Sequence, residues 1–189
     1  MTSAAVDGLA LLEACGAVLH GHFRLTSGRH SDTYVQKARV LERPDVTMEL
    51  AREIASWYPE GIDVTVAPAV GAVPLGFAVA LASGARAVYA EREEGRMSLR
   101  RGFVLSPGER ALVVEDVITT GGSAREVFEL VRASPATALG VAALVDRSGS
   151  SLPFPLRAIV AIDASSWPPD ECALCREGRP IDAPGSRHL

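Results

Sequence analysis

Apolar runs rich in β-branched residues alternate with glycine-containing turns and helical patterns through most of this chain. Between these runs, apolar residues at helical spacing indicate helices at residues 73–82 and 123–133. Strands that are apolar along their whole length are typical of a mostly parallel sheet covered by helices on both faces. The pattern therefore predicts an α/β fold. Its strands are predicted at residues 64–69 (VTVAPA), 87–90 (AVYA), 111–116 (ALVVED), 138–146 (ALGVAALVD) and 158–163 (AIVAID).

The N-terminal region has a different texture. Residues 7–19 show helical spacing behind Asp7, a candidate N-cap, and residues 44–57 show it again behind Pro44. Between them, residues 21–40 alternate in the manner of strands, with Ser27 and Gly28 supplying a turn. No linker or internal repeat interrupts the chain. We expect one domain over residues 1–189, made of an N-terminal segment (1–43), an α/β core (44–163) and a C-terminal segment (164–189).

Composition limits the partners of the chain. Its 189 residues carry 19 basic and 23 acidic side chains, a net charge of −4, which argues against a nucleic acid or an anionic membrane as the main partner. Lys37 is the sole lysine, so anion binding is expected to rely on arginine. The longest apolar stretch contains Pro68 and Pro74, which do not suit a bilayer span. Three cysteines and an N-terminus without a basic region ahead of its apolar stretch predict a cytoplasmic protein.

The segment ALVVEDVITTGGSA, residues 111–124, is the strongest functional signal. In open α/β sheets, ligands bind at the carboxyl ends of strands, and a glycine-rich turn presents backbone N–H groups and a helix N-terminus to an anion. A turn capped by a serine or threonine is the alternative interpretation. We predict a phosphate site formed by five consecutive residues, Thr119, Thr120, Gly121, Gly122 and Ser123.

Two acids, Glu115 and Asp116, precede the predicted phosphate site. Carboxylates beside a phosphate make chemical sense if they bind the hydroxyl groups of a sugar or a divalent cation. The pair is therefore interpreted as a ribose clamp.

Several segments together resemble a known family. VVEDVITTGGSA is similar to the phosphoribosyl pyrophosphate (PRPP) signature of type I phosphoribosyltransferases. FRLTSGRHSDTYVQK (23–37) resembles the opening segment of orotate phosphoribosyltransferases, and CALCREGRPIDAPGSR (172–187) resembles the tail of one bacterial subgroup. With APAVGAVPLG and the LRRGF run, the similarity covers nearly the whole chain.

The resemblance implies a type I phosphoribosyltransferase fold with a small N-terminal hood. It also implies that Glu115 and Asp116 contact the ribose, that residues 119–123 hold the 5′-phosphate, and that Arg147 binds the carboxylate of orotate. The alternative for Arg147 is a surface ion pair. Mg²⁺ is expected to accompany the pyrophosphate, with no protein residue assigned as its ligand. Further residues implied at the orotate site are Thr119, Ser27 and Gly28, and the pyrophosphate loop is implied at Pro68, Ala69, Val70, Gly71 and Ala72.

The chain departs from the family pattern at two places. Many relatives carry a lysine where this chain has Gly71, and a longer loop with lysine and histidine where it has EREEGRMSLRRG, residues 91–102. On charge pattern alone, this segment is a solvated connection. In the resembled family it is a mobile loop that acts across a homodimer interface. We therefore assign catalytic roles to Arg92 and Arg96, because guanidinium groups bind phosphate oxygens in a bidentate fork.

The cysteines and histidines give weaker signals. Cys172 and Cys175 form a lone C-x₂-C pair, which is half of a zinc site. His20, His22 and His30 lack convincing metal-ligand spacing and are treated as ordinary polar residues. No protein metal site is therefore assigned.

The function implied by the resemblance is that of an orotate phosphoribosyltransferase, a pentosyltransferase that joins orotate to PRPP in pyrimidine (UMP) synthesis. Two alternatives remain. A purine-base phosphoribosyltransferase would share the phosphate site, and a non-catalytic regulator would share the fold. The regulator is disfavoured because both acids of the clamp are present and no basic face is visible.

Overall fold

The N-terminal region has one helix before a β-hairpin and two helices after it. In the computed structural model, which describes residues 7–25, 27–149, 151–162 and 165–184, helix α1 (Gly8–Ala14) begins behind Asp7, whose side chain accepts a hydrogen bond from the Ala10 N–H. The N-cap prediction is thus confirmed. Strands β1 (Val18–Arg24) and β2 (His30–Val35) follow, and then helices α2 (Ala38–Leu41) and α3 (Pro44–Ser56). The predicted turn at Ser27 and Gly28 joins the strands, whereas Thr26 lies outside the described residues.

Helix α1 is shorter than the predicted helix at residues 7–19. It ends because Gly16 adopts a left-handed conformation, with a φ of 64°. The N–H groups of Gly16 and Ala17 then bond back to the carbonyls of Glu13 and Leu12, which is the Schellman arrangement of a helix end. Val18 and Leu19 consequently belong to β1, and the predicted extension of the helix is wrong.

A six-stranded sheet forms the centre of the molecule, and all five predicted strands contribute to it. Its strand order is β5-β4-β3-β6-β7-β8, and every neighbouring pair except β4 and β5 is parallel. The mostly parallel sheet is thus confirmed. Helices α4 (Val73–Ser83) and α5 (Gly122–Arg132) match the two predicted between the strands. The strands are β3 (Val64–Pro68), β4 (Arg86–Glu93), β5 (Arg96–Leu99), β6 (Arg110–Ile118), β7 (Thr137–Asp146) and β8 (Leu156–Ala161).

Alternating side chains of the central strands pack on opposite faces of the sheet. Leu112 and Val114 of β6 belong to the cluster that contains the apolar residues of α3 and α4, while Val113 belongs to the cluster that contains those of α5. Both faces are buried, which explains the continuously apolar runs. Asp163, the last residue of the predicted final strand, lies outside the described residues.

A second, three-stranded sheet forms the hood. Strand β9 (Ser166–Trp167) pairs antiparallel with β2, giving the order β1-β2-β9. A 3₁₀ turn (Pro169–Glu171) and the short helix α6 (Ala173–Arg176) follow β9. The hood therefore combines strands from the N-terminal and C-terminal segments, whereas the sequence analysis places it in the N-terminal segment alone. Among the described residues, no helix is long and apolar enough to cross a membrane.

Candidate active site

The predicted phosphate-binding residues lie where β6 ends and α5 begins, at the carboxyl edge of the central sheet. We call residues 119–123 the cradle. They line a cavity of about 80 Å³. Gly121 has a φ of 71°, and a Cβ at this position would lie 3.0 Å from the Leu152 side chain, so glycine suits both the backbone and the packing. The N-terminus of α5 adds unpaired backbone N–H groups, and the arrangement favours an anion.

The acid pair lies in β6 directly before the cradle. Glu115 and Asp116 are both buried, and the Glu115 side chain accepts a hydrogen bond of 3.0 Å from the Asp116 N–H. Burial, reinforced by the adjacent Asp116 charge, raises the pKa of Glu115 well above its ordinary value of 4.5. Asp116 Oδ1 accepts a hydrogen bond of 2.6 Å from the Val117 N–H. The carboxylates are thus held in place beside the cavity.

Lys37 is a site residue that the sequence analysis did not assign. Its Nζ donates a hydrogen bond to Asp116 Oδ2 and forms an ion pair with it. Gly71 leaves room for this contact, because a Cβ there would lie 2.5 Å from both Asp116 Oδ2 and Lys37 Nζ. The chain's only lysine therefore stands beside the loop in which many relatives have theirs. The one sequence feature that could have indicated this role is that Lys37 is the only lysine among the 19 basic residues.

Arg147 follows β7 and lies between the central sheet and the hood. Its backbone N–H bonds to the Ile118 carbonyl at the end of β6, and its Nη2 donates to the Thr33 carbonyl of β2 at 3.3 Å. Its Nε is buried and has no hydrogen-bond partner within the described ranges. Burial lowers the pKa of the guanidinium. An anionic ligand with two oxygens would complement such a group.

Residues 91–102 form the β4–β5 hairpin and its base. Arg92 donates to both carboxylate oxygens of Glu126 in α5, at 3.1 and 2.9 Å, and the Met97 N–H donates to the same carboxylate. Arg100 and Arg101 pair with Glu93 and Glu91, respectively. Within the described part of the chain, Arg96 is the hairpin arginine without an ion-pair partner.

Some of the predicted site residues lie close together in the structure, and others lie elsewhere. The cradle, the acid pair and Gly71 meet at the ends of β6 and β3, with Arg147 bonded to the end of β6. Arg92 instead contacts α5. Ser27 and Gly28 form the turn of the hood hairpin.

Two of the histidines that the sequence analysis treats as ordinary polar residues lie in a cluster with two cysteines. His22 and His30 lie against Cys172 and Cys175, and one ligand atom from each residue falls within 4.8 Å of the others. The sequence analysis did not group these histidines with the cysteines, because the two pairs are more than 140 residues apart in the chain.

Comparisons with known proteins agree with this geometry. Residues 39–155 match the family model for the phosphoribosyl transferase domain. The chain is 49% identical over 184 residues to an orotate phosphoribosyltransferase from Pelotomaculum thermopropionicum, covering 96% of this chain and 97% of the relative. It is also 49% identical over 176 residues to the enzyme of the same name from Heliobacterium modesticaldum, covering 90% and 92% of the two chains.

Solved structures give the same fold. The orotate phosphoribosyltransferase from Aeropyrum pernix superposes with a TM-score of 0.68 and 27% identity over 81% of this chain and 92% of that one. An adenine phosphoribosyltransferase shares the fold at 20% identity, with a TM-score of 0.66, and covers 82% of this chain and 100% of its own. The sequence similarity over nearly its full length shows that the chain belongs to the orotate phosphoribosyltransferase family.

Proposed function

We propose that this protein transfers the phosphoribosyl group of PRPP to orotate, giving orotidine 5′-monophosphate and pyrophosphate in UMP synthesis. The choice of orotate as the base rests on Arg147, because its buried Nε has no hydrogen-bond partner in the described ranges. A buried donor without a partner is costly unless a ligand satisfies it. The orotate carboxylate has the charge and the oxygens to do so, whereas adenine and hypoxanthine lack a carboxylate.

The reaction forms a bond between a ring nitrogen of orotate and C1′ of the ribose, while the bond from C1′ to the pyrophosphate oxygen breaks and the ring nitrogen loses its proton to solvent. Because the ring nitrogen is itself the attacking group, no side-chain nucleophile is needed. The cradle holds the 5′-phosphate through backbone N–H groups and the hydroxyls of Thr119, Thr120 and Ser123. Glu115 and Asp116 orient the ribose hydroxyls, and Ser27 and Gly28 contribute to the orotate side of the site.

The donor set fits Mg²⁺ bound mainly through substrate. Carboxylate and hydroxyl oxygens suit this cation, which keeps several of its waters in proteins. Both oxygens of Asp116 already accept hydrogen bonds, from Lys37 and from the Val117 N–H. We therefore assign Asp116 and Glu115 to contacts through water, with pyrophosphate as the direct ligand. When bound, Mg²⁺ neutralises charge on the departing pyrophosphate.

The assembly proposed for the enzyme is a homodimer in which the hairpin at residues 91–102 acts on the partner's site. Arg96 supports this proposal because it is exposed and has no ion-pair partner in the described ranges. Arg92 would have to exchange Glu126 for pyrophosphate.

We also propose that residues 1–189 form one domain and that the protein has no nucleic-acid or membrane partner. A cytoplasmic location is proposed because no disulfide joins the three cysteines, all of which lie in the described ranges.

Loss of orotate absorbance in the presence of PRPP and Mg²⁺ tests the proposed activity. In Arg147→Ala, we expect the KM for orotate to rise about tenfold or more, because about 1.5–3 kcal/mol is typical of a hydrogen bond to a charged group. The KM for PRPP should change little. Arg132→Ala, at an exposed position of α5, is the matched control.

Turnover of adenine or hypoxanthine without turnover of orotate would contradict the proposed substrate. Equal rises in both KM values for Arg147→Ala would reject the role of Arg147 alone.

A further inference from the structure

Four potential metal ligands meet where the hood hairpin contacts the segment around α6. His22 lies two residues before Arg24 on β1, and His30 pairs opposite Arg24 on β2. Their rings are in contact, with centroids 5.0 Å apart, so both histidines project to the same side of the hairpin. Cys172 precedes α6 and Cys175 lies within it, so a single helical turn presents both thiols to this side.

The distances between these side chains match a tetrahedral metal site. His22 Nε2 lies 3.1 Å from His30 Nδ1, 3.5 Å from Cys172 Sγ and 3.6 Å from Cys175 Sγ. Cys175 Sγ is 3.2 Å from His30 Nδ1. Zinc bonds of about 2.0–2.1 Å to nitrogen and about 2.3 Å to sulfur place tetrahedral ligand atoms roughly 3.3–3.8 Å apart. These four distances are close to the spacing that the ion requires, and all of the ligand atoms lie within 4.8 Å of one another.

The backbone orients one histidine for binding. The Arg179 carbonyl lies 2.9 Å from His22 Nδ1 and can only accept a hydrogen bond, so Nδ1 carries the proton. In the neutral ring, Nε2 then directs its lone pair toward the cluster. Such a second hydrogen bond commonly fixes the orientation of a metal-binding histidine.

Burial also suits a structural site. His22, His30 and Cys172 are buried, while Cys175 is exposed and leaves a route for the ion. Four protein ligands complete a tetrahedral shell, so no position stays open for a substrate. Two thiols and two imidazoles favour zinc over the hard cation Mg²⁺.

We propose that His22, His30, Cys172 and Cys175 bind one Zn²⁺ ion that fastens the C-terminal segment to the hood. Binding releases the two thiol protons to solvent and leaves both sulfurs as thiolates. The ion joins β1 and β2 to α6. The existing links between these segments include backbone hydrogen bonds between Asp182 and residues 22 and 24. A three-stranded sheet this small has little core of its own, and a metal can supply the missing stability.

Metal analysis of the full-length protein tests this proposal. The protein is purified without a polyhistidine tag, under reducing conditions and without chelator. Elemental analysis should find about one zinc per chain, as a closed four-ligand site requires. Cys175→Ser should lose the metal and unfold at a lower temperature. Cys15→Ser and His20→Ala, which change a cysteine and a histidine outside the cluster, are the matched controls and should keep it.

Cobalt substitution provides a readout that does not depend on the variants. Wild-type protein loaded with Co²⁺ should show the thiolate charge-transfer and strong visible bands of a tetrahedral site, and added Zn²⁺ should abolish them. Three outcomes would overturn the proposal. These are substoichiometric metal even after Zn²⁺ is supplied to reduced protein, unchanged metal content in Cys175→Ser, or a disulfide between Cys172 and Cys175 in freshly purified protein.

Discussion

At the scale of single residues, the contact between Lys37 and Asp116 gives the chain's sole lysine a specific place. Its ammonium group neutralises Asp116 beside Gly71, in the loop assigned to pyrophosphate. A polyanion bound there would attract the same ammonium group. We infer that Lys37 substitutes for the lysine that many relatives carry in the loop itself.

Lys37→Gln removes this charge while keeping a side chain of similar length. We expect the KM for PRPP to rise about tenfold, equivalent to ~1.4 kcal/mol, because the lost charge would lie beside the proposed pyrophosphate loop. The KM for orotate should change little, and initial rates with each substrate varied in turn measure both. The control is Arg39→Gln, in which an exposed arginine of α2 is changed. A selective effect on orotate would contradict the assignment.

Glu115 gives a prediction about pH. Because burial and Asp116 raise its pKa in the folded protein, the folded state retains a proton that the unfolded chain releases above about pH 4.5. Stability contributed by this group is therefore present at low pH and falls as the pH rises. Glu115→Gln cannot ionise at this position. The melting temperature of the variant minus that of the wild type should therefore increase from pH 5 to pH 8. A difference that does not vary with pH would contradict this explanation.

Sequence reasoning found the site residues that are close together in the chain. Glu115, Asp116 and the cradle form one local motif, in which the order of residues nearly fixes their spatial order. Lys37 and Asp116 are 79 residues apart, and their contact depends on how the hood rests on the sheet. No local pattern contains that information, so Lys37 was missed as a site residue.

At the scale of elements, the β4–β5 hairpin shows how a polar interruption becomes ordered structure. Glu94 and Gly95 occupy the turn with φ values of 48° and 84°, the left-handed conformation that suits a tight hairpin. Three of its arginines form ion pairs with glutamates. Gly95 therefore has a specific role in the turn itself.

The two candidate catalytic arginines of the hairpin should behave differently. Arg96→Ala should lower kcat at least about tenfold and leave the melting temperature unchanged, because its exposed side chain has no ion-pair partner in the described ranges. Arg92→Ala should lower both, since it also frees Glu126. Arg100→Ala is the control. Steady-state rates and thermal melts separate these effects, and full activity in Arg96→Ala would show that its charge is only solvated.

Elements were predicted well where burial is repetitive and poorly where distant segments meet. Helices α3, α4 and α5 follow from their apolar spacing and agree with the predictions within one or two residues. Strand β9 has only two residues and exists because β2 offers it a partner. Its pairing depends on tertiary structure, which local propensity does not record.

At the scale of the whole molecule, the proposed exchange of hairpins makes each site depend on two chains. Subunits carrying Arg96→Ala and subunits carrying Asp116→Asn should each be nearly inactive alone. A mixed dimer would contain one intact site, and random mixing should restore up to about a quarter of wild-type activity. Orotate turnover is measured after subunit exchange, which a differently tagged partner verifies.

Absence of recovery after verified exchange would place the hairpin's action in its own subunit. Activity of the Asp116→Asn protein by itself would instead remove Asp116 from the ribose clamp. The two results are therefore distinguishable.

The hood draws its first two strands from the beginning of the chain and its third from the far end. A chain emerging from the ribosome can pair the central strands as they appear, but β2 has to wait for β9, which follows every strand of the central sheet. The sheet that carries the cradle should thus be complete before the hood is. A nascent chain halted after β8 would possess the cradle while its hood remained unfinished.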